Sequence, residues 1–332
     1  MADENDDLAG HDVEQRLGEG ARDAAEPAVG IEERRPGVET DAHRPQDATS
    51  PVRWSVVIPT RAGWSLLASS LPPLLAALGP GDEVVVVGDG RDPGVARAAD
   101  PRCRVVVHSG PAGFAPVCNR GAAEARGRLL LFLNDDVVVA PGVLEALERE
   151  LLRPGTGAVG PDVVSEALGR SESGTALRWH RGVLEAGQGA LAGSGRVEVP
   201  YLCGAALAVS REAFLGLGGF DERLAPYFWE DVDLSLRVRA RIGAVAVTSA
   251  AAVRHRHGAT IGSDPARVRR VVYERNRLLV SWRHLRGRRW LAHLAWLPLR
   301  LAASAVRDRT VAAGFIRALA ARAVRRDDAR RC

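Results

Sequence analysis

The chain has 332 residues, 46% of them hydrophobic, and a formal net charge of +4. That is apolar material for an enzyme-sized core and too much for a disordered chain. Its four cysteines, Cys103, Cys118, Cys203 and Cys332, show no CxxC spacing, which argues against a zinc or disulfide scaffold and for a reduced, cytoplasmic protein.

The charge is unevenly spread. Residues 1–50 sum to roughly minus nine and residues 281–332 to roughly plus ten, every basic residue being arginine. No basic, apolar signal region opens the chain, and no run of about 18 uncharged apolar residues occurs, so the expectation is a protein neither secreted nor membrane-spanning.

In chain order, residues 1–50 lack periodicity and are expected to be disordered. Trp54 to Ile58 reads as a buried strand, followed by a helix to Leu78 that Pro72-Pro73 either breaks or restarts. Glu83 to Val87 and Arg104 to Val107 are the next strands, and Pro116 to Arg126 a helix stopped by Gly127. Leu129 to Val139 then joins a continuous apolar run to Asn134-Asp135-Asp136 and three valines. Such a run suits a strand buried on both faces, and its carboxyl end faces the crevice where α/β sheets bind ligands. Pro141 opens a further helix. Strand–helix alternation over this half predicts an α/β fold with a doubly wound, mostly parallel sheet.

Residues 153–199 read as a long irregular segment of the kind that is usually functional. Tyr201 to Ser210 is expected to be a strand, a helix is expected to start near Trp229 and stop at Gly243, and Ala244 to Thr248 is a last strand. Beyond residue 273, Trp290, Leu291, Leu294, Leu297 and Leu301 form an apolar stripe, while His293, Arg300 and Arg307 recur on another face. This suits a helix lying on an anionic membrane surface, or one packed on the domain with its arginines in water. The expected division is 1–50, a catalytic domain at 51–285 and a helical tail at 286–332.

Three oxygen-bearing side chains at one strand end suit Mg²⁺ or Mn²⁺ and a phosphate; they also suit an ordinary turn. Glu230, Asp231 and Asp233 suit general base catalysis, and equally a helix amino terminus. Trp229 suits an acceptor platform or the core. His255 and His257 suit metal binding or the surface.

Taken together, VVIPT at 56–60, NRGAAEARG at 119–127, LNDDV at 133–137, GGFDE at 218–222, WEDVDLSLR at 229–237 and VRHRHGAT at 253–260 resemble the family 2 glycosyltransferases. These are inverting enzymes of the GT-A fold, and the likeness is strongest to rhamnosyltransferase-like members. The resemblance implies a nucleotide-diphosphate sugar donor, a divalent cation and a glycan, lipid-linked or small-molecule acceptor. Residue by residue, it puts Pro59, Thr60 and Arg61 at the nucleoside and Asn119, Asn134 and Asp135 at the nucleotide sugar. Asp136 and His255 are then the metal ligands, with His257 as the fallback. Asp231 is the base, with Glu230 beside it, and Trp229 meets the acceptor. The family's second strand ends in an aspartate that holds the base; here Gly88 stands at that position. Asp89 is the expected replacement, the alternative being loss of the contact.

The rival readings are a nucleotidyltransferase, which would carry a Gly-rich basic loop after the first strand, and a degenerate sugar-nucleotide-binding or membrane-bound scaffold. No nucleic-acid partner is expected, because the arginine-rich tail lacks an aromatic platform.

Overall fold

A computed structural model describes residues 53–95, 100–256 and 264–331, with side chains to 322. The acidic segment 1–50 and His257 lie outside them. The body is one ten-stranded sheet in which eight strands lie in the order Arg196–Glu198, Ala244–His255, Thr156–Ser165, Ala206–Ser210, Leu129–Leu133, Trp54–Thr60, Glu83–Asp89 and Cys103–His108, while Val137–Val139 pairs with Ala244–His255 and Arg170–Ser171 with Thr156–Ser165. Its first half comprises β1 (Trp54–Thr60), β2 (Glu83–Asp89), β3 (Cys103–His108) and β4 (Leu129–Leu133), paired in parallel. Valines and leucines bury both faces of β1, β2 and β4, as a parallel sheet covered on two sides requires. A fully buried side chain of this size contributes about 1.5–3 kcal/mol.

Helices α1 (Trp64–Ala77) and α2 (Phe114–Glu124) cover this half. Pro72 and Pro73 do not break α1, which runs through both. They lie on its outer side, while Leu67, Leu71 and Leu74 are buried. Burial of three leucines outweighs the lost helix hydrogen bonds. Helix α2 approaches the sheet closely at Gly121, where a Cβ would sit 2.4 Å from a Val57 methyl.

The apolar run around Asn134-Asp135-Asp136 is two strands. β4 ends at Leu133, and β5 (Val137–Val139) leaves the turn to pair with β12 (Ala244–His255). Helix α3 (Val143–Leu151) starts after Gly142, two residues beyond Pro141.

The stretch 153–199 is corrected from irregular to mostly β. It holds β6 (Thr156–Ser165), β7 (Arg170–Ser171), the hairpin β8 (Gly174–His180) with β9 (Val183–Gly189), and β10 (Arg196–Glu198). Much of β6 is buried, whereas the hairpin and β10 are half-exposed. Their Gly, Ser and charged positions gave no apolar alternation to read. β11 (Ala206–Ser210) runs antiparallel between β4 and β6. Helices α4 (Arg211–Gly216) and α5 (Glu230–Arg241) follow, then α6 (Ala266–His284), α7 (Arg288–Arg307) and α8 (Thr310–Arg331) after β12.

Candidate active site

The first strand and the acidic turn are joined through one hydroxyl. Thr60 Oγ1 donates to Asp135 Oδ2 at 2.5 Å and accepts from the Gly63 amide at 2.9 Å. The Asp135 carbonyl accepts from Ser70 Oγ at 2.7 Å. Thr60 and Asp135 are both buried, so they brace the turn from within. Burial pushes the Asp135 carboxyl up to about 6; the Thr60 hydrogen bond works against the shift, and the Asp136 charge adds to it.

Asp136 faces the other way. Its Oδ1 lies 3.3 Å from His255 Nε2, and His255 Nδ1 lies 3.5 Å from Glu172 Oε2. Burial alone would lower the imidazole pKa. The two carboxylates override it and hold His255 at about 9.

Asp136 Oδ1 is closed off from solvent and makes no well-formed hydrogen bond. Two ligands on neighbouring vertices of an octahedral Mg²⁺ or Mn²⁺ site, each about 2.1 Å from the ion, would stand about 3 Å apart. Asp136 and His255 therefore stand at the spacing of a shared hard cation, which His255 would join by giving up the proton that Asp136 and Glu172 hold on it. No group of three or more acidic, His or Cys ligands occurs among the described residues, so such an ion would take its remaining ligands from water and diphosphate.

The second acidic motif lies on the same edge. Asp231 Oδ2 accepts from the Gly204 amide at 2.9 Å, and the neighbouring Ala205 carbonyl accepts from the Asn134 amide at 3.0 Å. One peptide step at the start of β11 thus bridges the two motifs. Between them burial pushes the Cys203 thiol up to about 12, and the charges of Asp231 and Glu172 push the same way, so it stays neutral. Asp231 is half-buried at the amino terminus of α5, and Glu230 beside it is buried with Oε2 unsatisfied. Burial raises both carboxyls, and the Asp231 charge pushes Glu230 further.

Compared with known proteins, residues 55–217 match the profile of Glycosyl transferase family 2. The chain carries a family 2 glycosyltransferase domain. The O-antigen biosynthesis protein RfbC of Myxococcus xanthus is 32% identical to it over 184 residues, 50% of this chain and 14% of that protein. The solved structure of GalNAc-T7 with UDP, GalNAc and Mn²⁺ matches with a TM-score of 0.56 at 19% identity, covering 69% of this chain and 47% of that one. S. aureus TarS 1–349 in complex with UDP-GlcNAc matches at 0.51 and 15% identity, covering 77% and 75%. At those identities the two structures speak for the GT-A fold alone. The chain spans 28% and 14% of the lengths of the curated relatives it matches.

Three of the expected site residues make contacts within the protein itself. Trp229, the expected acceptor platform, is 3% exposed and packs on Tyr273, ring centroids 5.5 Å apart, as the core alternative has it. Asn119 is committed to the GGFDE turn, with Nδ2 donating to the Phe220 carbonyl at 2.9 Å and Oδ1 accepting from the Phe220 amide at 2.9 Å. Asp89 accepts from the Ala112 and Gly113 amides at 2.6 and 3.3 Å, which anchors the start of α2. Pro59 is half-buried at the end of β1, and exposed Arg61 accepts at its carbonyl from Arg91. Asp233 and Arg237, four apart on α5, form a buried ion pair at 2.8 Å.

Gly88 explains the departure from the family pattern. A Cβ there would lie 1.9 Å from the Arg91 carbonyl oxygen, so the 88–93 turn fills the space a side chain would need. Gly88→Ala is expected to cost about 1–3 kcal/mol by overpacking. Chemical denaturation checks this, and an unchanged midpoint would show that the turn yields freely.

Glu172, Gly204 and Asn276 were missed. Asn276 is fully buried in α6, and its amide donates to the carbonyls of Leu224, Tyr227 and Phe228 at 2.5, 2.9 and 2.9 Å. It thereby holds the loop that delivers Glu230 and Asp231. Nothing local in Tyr273-Glu274-Arg275-Asn276 signals this.

Proposed function

We propose that this chain is an inverting, metal-assisted glycosyltransferase that moves a sugar from a nucleotide-diphosphate sugar to an acceptor hydroxyl. The reading rests on one juxtaposition: the Asp136–His255 pair and the Asp231 carboxylate share the sheet edge bridged by Gly204 and Ala205. Solved structures of similar fold carry UDP with Mn²⁺ or UDP-GlcNAc.

Mg²⁺ or Mn²⁺ held by Asp136 and His255 would offset the charge gathering on the departing diphosphate. In this reading Asp231 takes the proton of the acceptor hydroxyl as its oxygen bonds to the anomeric carbon and the carbon–phosphate-oxygen bond breaks. One displacement inverts the centre. The Gly204 amide orients the Asp231 carboxylate, and Glu230, raised by burial, can stay protonated and donate a hydrogen bond. The acceptor is proposed to be a glycan, a lipid-linked sugar or a small molecule of cell-envelope type.

A second reading, a sugar-nucleotide-binding scaffold without turnover, draws support from the filled space at Gly88. Thermal shift against UDP-, GDP- and dTDP-sugars, with and without Mn²⁺, separates the two. At a hundredfold excess over its dissociation constant, the true donor should add about 2.7 kcal/mol of stability. Asp136→Asn should remove the Mn²⁺ dependence of that gain. Failure of every nucleotide sugar to bind would overturn both readings. Binding without hydrolysis or transfer would favour the scaffold.

A further inference from the structure

Helix α7 is amphipathic the wrong way round. A helix on a soluble body turns its apolar stripe inward and its charges to water. Here His293 and Ser304 are buried, while Leu291, Leu294, Leu299 and Val306 are 70%, 59%, 60% and 88% exposed.

The inward polar groups are satisfied. Trp282 Nε1–H donates to His293 Nε2 at 2.8 Å. Because the indole only donates, that nitrogen must be bare, so Nδ1–H donates to the Gly182 carbonyl at 2.7 Å. Arg300 reaches toward Glu274 at 3.8 Å. The Ser304 hydroxyl accepts from the Val311 amide at 3.1 Å, tying α7 to α8. The backbone seats closely as well: a Cβ on Gly182 would lie 2.6 Å from His293 Cα. The orientation is therefore built in.

The outward face has no charged side chain between Leu291 and Val306, a stretch of roughly 22 Å at helical rise. A surface of that kind marks an interaction site. Exposed arginines bracket it, Arg286 and Arg288 before it and Arg307 and Arg309 after it. Between 288 and 322 the chain carries seven arginines against one acid, Asp308. No described helix is long and apolar enough to cross a membrane.

We propose that the outward face of α7 lies on an anionic lipid surface, with its leucines in the headgroup–acyl boundary and the flanking arginines on lipid phosphates. Charge complementarity selects this occupant. A second copy would bring arginines against arginines, since a two-fold contact uses the same patch on both sides and this patch carries arginines at both ends. The surface stands independently of sugar transfer.

Co-flotation of the full chain with vesicles tests it. Binding to vesicles with about a third phosphatidylglycerol is expected, with little binding to pure phosphatidylcholine and a loss as salt rises. Leu291→Gln/Leu294→Gln/Leu299→Gln alters only exposed positions and should weaken partitioning on the order of a hundredfold. Arg288→Gln/Arg309→Gln should weaken it roughly fivefold per arginine. Absence of flotation, equal flotation with neutral vesicles, or an unaffected leucine variant would each overturn the proposal. So would sedimentation showing a lipid-free dimer that the leucine variant dissolves, because that assigns the face to a second copy. Flotation that appears only after removal of residues 1–50 would assign the face in the intact chain to that acidic segment.

Discussion

Asp231→Asn is expected to keep donor binding within about twofold and to lower transfer by a factor on the order of 10²–10⁴, the usual worth of a positioned general base. Asparagine matches the carboxylate in shape and can still accept from the Gly204 amide, so α5 and the start of β11 should stay docked. What it cannot do is take up the acceptor proton. The wild-type pH profile carries the same signature. Burial raises the Asp231 carboxyl, and the base works only when ionised. Activity should therefore fall on the acid side at a higher pH than for an ordinary aspartate, and the plateau should lie above the raised value. Steady-state rates across pH, with donor affinity measured separately, check both statements. Undiminished transfer by the asparagine variant would remove Asp231 from the role of base.

The second large effect is expected at Asn276, which acts through the loop before α5. Phe228 and Trp229 both sit at positive φ, 76° and 75°, a region costly for bulky side chains, about 1–3 kcal/mol each. They stay there because the Asn276 amide faces three carbonyls of the loop and because Tyr273 packs on both rings. The strained turn is what starts α5 with Glu230 and Asp231 at the sheet edge. Asn276→Ala strands buried carbonyls and should cost about 2–4 kcal/mol of stability. Below the unfolding temperature it should also lower kcat on the order of a hundredfold, since misplacement of a catalytic group by about 1 Å has that effect. Donor KM should hardly move, because Asp136 and His255 belong to other elements. Asn276→Asp, which keeps the shape but loses both donors, should behave like the alanine variant. A folded Asn276→Ala with normal kcat would show that the amide serves stability alone.

Much of this was written locally. Continuous valine and leucine runs specify β1, β2 and β4 because a strand buried on both faces needs no alternation. The turn after β4 and the helix start at Glu230, the positions predicted for the two acidic motifs, were found. The glycines of the 119–127 segment were legible as a pattern. Their reason is packing, as Gly121 lies against Val57 and Gly127 beneath Ser55.

Other features were decided only when distant segments met. Thr60 and Asp135 are 75 positions apart and brace each other, which buries the Asp135 side chain. Trp229 becomes core because Tyr273 arrives from α6. The hairpin β8–β9 forms from residues without apolar alternation and then receives α7 on Gly182. That contact sets α7 so that Leu291, Leu294 and Leu299 face outward, against the ordinary reading of an apolar stripe. Periodicity records which residues share a side of an element. Which side is covered depends on what the rest of the chain brings to it, and at Asp136, Asp231 and α7 those partners come from tens of residues away.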